Sequence, residues 1–221
     1  MRVALAILRK DLLVEWRSRD RVVAMLIFSL LMAVVFWFAL PDRRPDDWAE
    51  LVPGLLWTAF VFASLLGLNR SFAQELENDA IAGLALAPGH RGFVFLGKAA
   101  ASFLLIGFVE AVTTAVFGLL FAVDLLRPAP ALAGVVALGN LGIATIGTLL
   151  AAMAVRTRFR ELLLPILLLP ALFPVLAGAI DATRAAVALR PLPFEALQLL
   201  LVVDGIYLVV GFLGFDYILE E

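Results

Sequence analysis

Residues 22–40 read VVAMLIFSLLMAVVFWFAL, and these 19 positions contain no charged side chain. A helix needs about 20 mostly apolar residues to cross a bilayer, because the hydrocarbon core is ~30 Å thick and each residue adds ~1.5 Å. The run is longer than the roughly 7–15 apolar residues of a signal peptide, and no small-residue cleavage motif follows Leu40. It therefore predicts a transmembrane helix that is retained in the protein.

Five further apolar runs of similar length follow along the chain. They cover residues 51–68, 99–123, 131–155, 162–180 and about 196–218. The strands of a membrane β-barrel would instead show alternating segments of ~10 residues. The sequence therefore predicts an all-α integral membrane protein in which residues 1–221 form a single domain with six transmembrane helices.

The composition excludes several other classes of protein. Of the 221 residues, 63% are hydrophobic and 16% are charged, whereas a soluble domain has roughly 45–50% apolar residues. A soluble enzyme could not bury that much apolar surface, and a disordered chain would be far more polar. Cys is absent, which excludes a disulfide scaffold, a thiol nucleophile and a thiolate metal site. The net charge of −2 gives no reason to expect nucleic-acid binding.

The basic residues predict the orientation of the chain in the membrane. Twelve of the 17 Lys and Arg residues lie before the first span or in the second-to-third and fourth-to-fifth connections. Because Lys and Arg accumulate on the cytoplasmic side, both termini are expected in the cytoplasm.

The segment before the first span predicts an amphipathic helix at the cytoplasmic membrane surface. Leu5, Leu8, Leu12 and Trp16 recur at helical spacing, and most basic residues of this segment fall elsewhere around the helix. Such a helix would either contact a cytosolic partner or simply anchor the chain.

The connection between the second and third spans, residues 69–98, predicts a short helix parallel to the membrane. Ser71 fits an N-cap, and three acidic residues would form a stripe on the outer face. Such a helix would suit a groove of a cytosolic subunit, although an ordinary solvated helix has the same pattern. The candidate docking residues are Phe72, Glu75, Glu77 and Asp79.

Residues 92–98 have the spacing of a phosphate-binding loop but do not predict one. Ala99 stands where the Ser or Thr ligand of Mg²⁺ belongs, and the segment runs directly into a span. If ATP drives this protein, another chain must bind it.

Away from the ends of the predicted spans, three residues carry a carboxyl or amide side chain: Glu110, Asn140 and Asp204. Such residues are costly in a bilayer unless they are buried between helices or hydrated. They predict either a translocation path or proton site, or a structural group that is hydrogen-bonded across helices.

Several short motifs follow one another along the chain: Pro53-Gly54-Leu55-Leu56-Trp57, Phe72-x-x-Glu75-Leu76, Leu84-x-Leu86-x-Pro88, Lys98, Arg160-Glu161, Pro165 and Leu169-Pro170-x-x-x-Pro174. Taken together in this order, they resemble the CcmB family (cytochrome c maturation protein B, or haem exporter protein B). The chain departs from the family at Asn78-Asp79, where members often have Asp-Gly.

The resemblance implies an ABC-2-type permease subunit of a cytochrome c biogenesis complex in the bacterial inner membrane. It implies a CcmA-like cytosolic ATPase, CcmC-like and CcmD-like membrane proteins and a CcmE-like periplasmic haem chaperone, which ATP hydrolysis helps to release with its haem. Phe72, Glu75, Glu77 and Asp79 then become candidates for coupling to the ATPase.

The expectation for cofactors is that ATP and haem bind to partner chains, and that this chain is not itself an enzyme. Haem iron takes His, Met, Cys or Tyr as axial ligands, and the only His, His90, lies in a cytoplasmic connection. Two alternatives stay open: a permease for another substrate, such as a lipid or glycan, and a membrane assembly scaffold that transports nothing.

Overall fold

The computed structural model describes residues 1–40, 45–77, 90–155, 157 and 159–220, and all regular secondary structure within them is helical. The seven helices are α1 (Arg2–Ser18), α2 (Asp20–Ala39), α3 (Pro45–Glu77), α4 (Gly92–Leu120), α5 (Ala129–Ala154), α6 (Arg160–Val187) and α7 (Phe194–Glu220). Helices α2 to α7 are each long and apolar enough to cross a membrane. The predicted all-α fold with six spans is therefore confirmed.

The connection between the second and third spans differs from its prediction. Residues 69–77 continue α3 as one helix, because no Gly or Pro interrupts the sequence there. Ser71 is buried inside this helix instead of capping a new one. On the other side α4 already begins at Gly92, so that Lys98 belongs to a helix and not to a loop.

Helix α5 lies at the centre of the bundle, where glycines bring the neighbouring helices into close contact. A Cβ atom added to Gly139 would lie 2.1 Å from Cη2 of Trp57 on α3, and one added to Gly147 would lie 2.4 Å from Cδ1 of Leu68. Lipid chains are as apolar as Leu, so helices in a membrane associate through close packing and polar contacts more than through hydrophobic burial.

Trp57 connects this contact to a third helix. Its side chain is fully buried, and its indole Nε1–H donates a hydrogen bond of 2.9 Å to the hydroxyl of Thr183 on α6. A buried indole N–H without an acceptor would be unfavourable. Trp57 therefore fixes the relative positions of α3, α5 and α6.

We expect Gly139→Ala to destabilise the protein, because the new methyl group would overlap the indole ring of Trp57. Overpacking of this kind costs about 1–3 kcal/mol. Thermal unfolding of the purified protein in detergent measures the change. Gly134→Ala is the matched control on the same helix, since a Cβ atom at Gly134 would meet nothing within 4 Å. Equal midpoints for the two variants would contradict the close α3–α5 contact.

Candidate functional site

Helix α1 is held against α4 by a buried ion pair. Nζ of Lys98 lies 3.1 Å from Oδ2 of Asp11, and the Lys98 side chain is only 1% exposed. Next to this pair, a Cβ atom at Gly97 would lie 2.6 Å from the Ala4 carbonyl oxygen and 2.9 Å from Cβ of Ile7. The absence of a side chain at Gly97 therefore lets α1 approach closely enough for the ion pair to form.

A second buried acid joins α1 to α2. Arg19 separates the two helices in a left-handed conformation, with φ of 59°. Across this break, Oε1 of Glu15 accepts a hydrogen bond of 2.8 Å from the Val22 N–H, and Oε2 lies 3.6 Å from Nε of Arg21. The carboxylate satisfies a backbone N–H near the start of α2, where negative charge is favourable.

The only imidazole of the chain connects the start of α4 to the end of α7. Nδ1 of His90 accepts a hydrogen bond of 3.1 Å from the Gly92 N–H, and Nε2 lies 3.0 Å from Oδ2 of Asp216. The ring also stacks on Phe212 at a centroid distance of 4.9 Å. The backbone N–H of Arg91 donates a further hydrogen bond of 3.0 Å to Asp216.

These contacts place α1, the start of α4 and the end of α7 on the same side of the bundle. These contacts were not predicted from the sequence. The pattern that could have indicated them is the pair of acids Asp11 and Glu15, four residues apart among the basic residues of α1. The side chains of the docking candidates Phe72, Glu75 and Glu77, and all of Asp79, lie outside the described residues.

Glu110 is buried within α4, on the part of the helix that crosses the membrane. Neither carboxyl oxygen has a hydrogen-bond partner among the described residues. One turn further along, Thr113 donates a hydrogen bond of 2.8 Å to Ser29 on α2. The Glu110 carboxyl group is therefore buried without a hydrogen bond to any described residue, whereas the neighbouring Thr113 hydroxyl has one.

Asn140 connects α5 to α4. Its Nδ2 donates a hydrogen bond of 2.9 Å to the Phe103 carbonyl oxygen, and Gly107 leaves space for the amide, since a Cβ atom there would lie 2.9 Å from Nδ2. Oδ1 has no partner among the described residues. The amide nitrogen of Asn140 is therefore hydrogen-bonded across two helices, whereas its amide oxygen has no such bond to a described residue.

Asp204 faces α5 and α6 from α7. A Cβ atom added to Gly142 on α5 would lie 2.7 Å from Oδ1 of Asp204 and 2.8 Å from Cγ2 of Val175 on α6. Both carboxyl oxygens are buried and lack a partner in the described part of the chain. One turn away, the Tyr207 hydroxyl donates a hydrogen bond to the Ala171 carbonyl oxygen.

The three intramembrane residues lie at a similar depth but do not form one cluster. In its own helix, each residue lies about ten positions from the end that is farther from α1. Ten positions correspond to ~15 Å along the helix axis. Asn140 faces α4, whereas Gly142 faces Asp204 from nearly the opposite side of α5, because two residues turn a helix by about 200°. Within the described residues, no group of three His, Cys, Asp or Glu side chains could hold a metal ion.

Comparison with known proteins identifies the family. The family model for the CcmB protein matches residues 2–214. The chain is 31% identical to the Heme exporter protein B of Paracoccus denitrificans over 83% of each chain. It is 29% identical to the protein of the same name from Bradyrhizobium diazoefficiens, over 93% of this chain and 92% of the relative. With a family match over nearly its whole length and six membrane-spanning helices, this chain belongs to the CcmB protein family.

Proposed function

We propose that this chain is the permease subunit of an ABC transporter complex that acts in cytochrome c biogenesis. In that complex it would couple ATP hydrolysis by a cytosolic, CcmA-like ATPase to the delivery of haem and the release of a haem-loaded, CcmE-like chaperone in the periplasm. CcmC-like and CcmD-like membrane proteins would complete the complex. The observation that carries this proposal is the family match over residues 2–214, together with relatives named Heme exporter protein B.

The proposed location is the bacterial inner membrane, with both ends of the chain in the cytoplasm. The side that carries α1 also carries the start of α4 and the end of α7, through the contacts of Lys98 and His90. Most of the basic residues of the chain belong to this side. The excess of Lys and Arg in cytoplasmic segments supports assigning it to the cytoplasm.

The continuity of α3 supports the proposed coupling to an ATPase. This helix is 33 residues long, or ~50 Å at ~1.5 Å per residue. It runs without a break from Trp57 in the core to the turns that contain Phe72, Glu75 and Glu77. A force applied by a partner near Glu77 would therefore reach the α3–α5–α6 contact through a single rigid element.

The contacts of His90 support the proposal that partners, and not this chain, hold the haem. Both imidazole nitrogens are already used, one by the Gly92 N–H and the other by Asp216. Binding to haem iron would require His90 to give up one of these contacts. We likewise propose that ATP binds to the partner ATPase, and that this chain has no enzymatic activity of its own.

Two experiments test the proposal and separate it from its alternatives. Expression of this chain in a bacterium that lacks its own CcmB protein should restore covalently attached c-type haem. Failure to restore it, despite membrane insertion, would favour a permease for another substrate such as a lipid or glycan. If restoration survives a catalytically inactive partner ATPase, the protein is instead an assembly scaffold.

We expect the triple substitution Glu75→Ala, Glu77→Ala and Asp79→Ala to weaken binding of the ATPase. Loss of ~1.4 kcal/mol of charge pairing would lower the affinity about tenfold. The measurement is the amount of ATPase that co-purifies with the tagged permease. The control replaces Glu50, Asp181 and Glu195 with Ala, which removes the same charge at exposed positions outside the proposed docking segment. Unchanged co-purification in the first variant would contradict the docking role.

We expect Glu110→Gln to leave the complex assembled but to impair its function. Gln keeps the shape of the side chain but cannot ionise or exchange a carboxyl proton. If Glu110 takes part in coupling, c-type haem attachment should fall by about 5- to 150-fold, the range given by a coupling free energy of ~1–3 kcal/mol.

Two measurements decide between the interpretations of Glu110: recovery of the intact complex by size-exclusion chromatography, and haem staining of mature cytochromes. Loss of the complex would favour a structural role for the carboxyl group. Wild-type levels in both measurements would exclude a role in coupling.

A further inference from the structure

The charges of α1 are divided between two faces of the helix. Its two acids, Asp11 and Glu15, point into the protein, where they meet Lys98 and Arg21. Its basic side chains are exposed. Among the described residues, no acidic side chain pairs with Arg9 or Arg17, whereas Lys10 contacts Asp11 at 3.2 Å. The outward face of α1 is therefore strongly basic.

Large apolar side chains lie among these basic ones. Leu5 is 66% exposed, Leu13 is 51% exposed and Trp16 is 75% exposed. The guanidinium carbon of Arg19 lies 5.8 Å from the centre of the Trp16 ring. Exposed Leu and Trp beside Arg is the composition of helices that lie at the boundary between acyl chains and headgroups.

The position of α1 in the fold agrees with this composition. Ala4, Ile7 and Asp11, which span ~10 Å of helix axis, all meet Gly97 or Lys98. All of these contacts are made in the first two turns of α4, which begins at Gly92. The other end of α1 is joined to the first turn of α2 through Glu15. Helix α1 thus lies at the level where two spans enter the membrane.

From these three observations we propose that the outward face of α1 binds the headgroups of anionic phospholipids. An open groove on this face is lined by Ala6, Arg9, Lys10, Leu13, Val14 and Arg17. Arg9 and Arg17 stand ~12 Å apart along the helix and supply forked N–H donors that match phosphate oxygens. Leu13 and Val14 contact the glycerol and upper acyl carbons of the same lipids.

An acidic protein surface fits the observations less well than a lipid. It would complement the Arg side chains but would leave Leu5 and Trp16 exposed to water. A bilayer surface accommodates both, because the apolar side chains enter it while the guanidinium groups stay at the phosphates. A role in lipid binding is independent of the proposed function in haem delivery, and it can be tested without any partner chain.

The test uses the full-length protein purified in a neutral detergent. The double variant Arg9→Gln/Arg17→Gln is compared with wild type and with Arg127→Gln/Arg190→Gln, which removes two exposed Arg residues on the other side of the bundle. Phosphatidylglycerol, phosphatidylcholine or inorganic phosphate is added. The readouts are the midpoint of thermal unfolding and the number of lipids retained in native mass spectrometry.

We expect phosphatidylglycerol to raise the unfolding midpoint of wild type and of the Arg127/Arg190 variant, and phosphatidylcholine to have a smaller effect. The Arg9/Arg17 variant should lose at least half of that increase and retain fewer lipids. Its midpoint without added lipid should equal that of wild type, which shows that it is folded. Arg9→Lys/Arg17→Lys should recover part of the response, because Lys keeps the charge.

Three results would overturn the proposal. The first is a full phosphatidylglycerol response in Arg9→Gln/Arg17→Gln. The second is an equal response of wild type to inorganic phosphate, which would indicate a simple anion site. The third is loss of ATPase co-purification in the Arg9/Arg17 variant together with an unchanged lipid response, which would assign this face to a protein partner.

Discussion

The bilayer interior offers no water to hydrogen-bond, so each polar group within a span needs a partner in the protein. Several hydroxyl groups in the spans donate to a carbonyl oxygen one turn earlier in the same helix. Ser64 donates to the Phe60 carbonyl oxygen at 2.7 Å, as Thr145 does to that of Leu141, also at 2.7 Å. Among the described residues, the carboxyl oxygens of Glu110 and Asp204 have no hydrogen-bond partner, and the same holds for Oδ1 of Asn140 and the hydroxyl of Thr148.

The side of the membrane domain that carries α1 differs from its mid-depth in the kind of contact between helices. On the side of α1, ion pairs and hydrogen bonds cross between helices through Lys98, Glu15 and His90. At mid-depth, the carboxyl oxygens of Glu110 and Asp204 have no such bonds among the described residues. Close packing and hydrogen bonds between neutral groups, such as those of Trp57 with Thr183 and of Asn140 with Phe103, hold the helices together at mid-depth. The ionic contacts that the described residues make between helices lie on the α1 side.

The spans could be predicted because continuous apolar runs are a local property of the sequence. The ends of α3 and α4 were predicted less well. Helix α3 continues through the polar residues 69–77, which contain no Gly or Pro, and α4 begins at Gly92, seven residues before the predicted span. The contact between His90 and Asp216 could not be predicted, because 125 or more residues separate the two segments. Asn140 and Asp204 could be placed within spans from the sequence, but only the packing around Gly107 and Gly142 shows that they lie on different sides of α5.

The N-terminal helix shows most clearly why a periodic pattern is not enough. In the predicted apolar stripe, Leu5 and Trp16 are exposed, which fits a membrane surface, whereas Leu8 and Leu12 between them are partly buried. The face that docks onto the protein is a second one, through Ile7, Asp11 and Glu15, and two of these three side chains are charged. The preference of Lys and Arg for the cytoplasmic side would be met by basic residues at any angle around the helix. Asp11 and Glu15 instead point into the protein, where they contact Lys98 and Arg21 and attach α1 to its neighbouring helices. Helix α1 is therefore better understood as a fixed part of the permease than as a loose anchor.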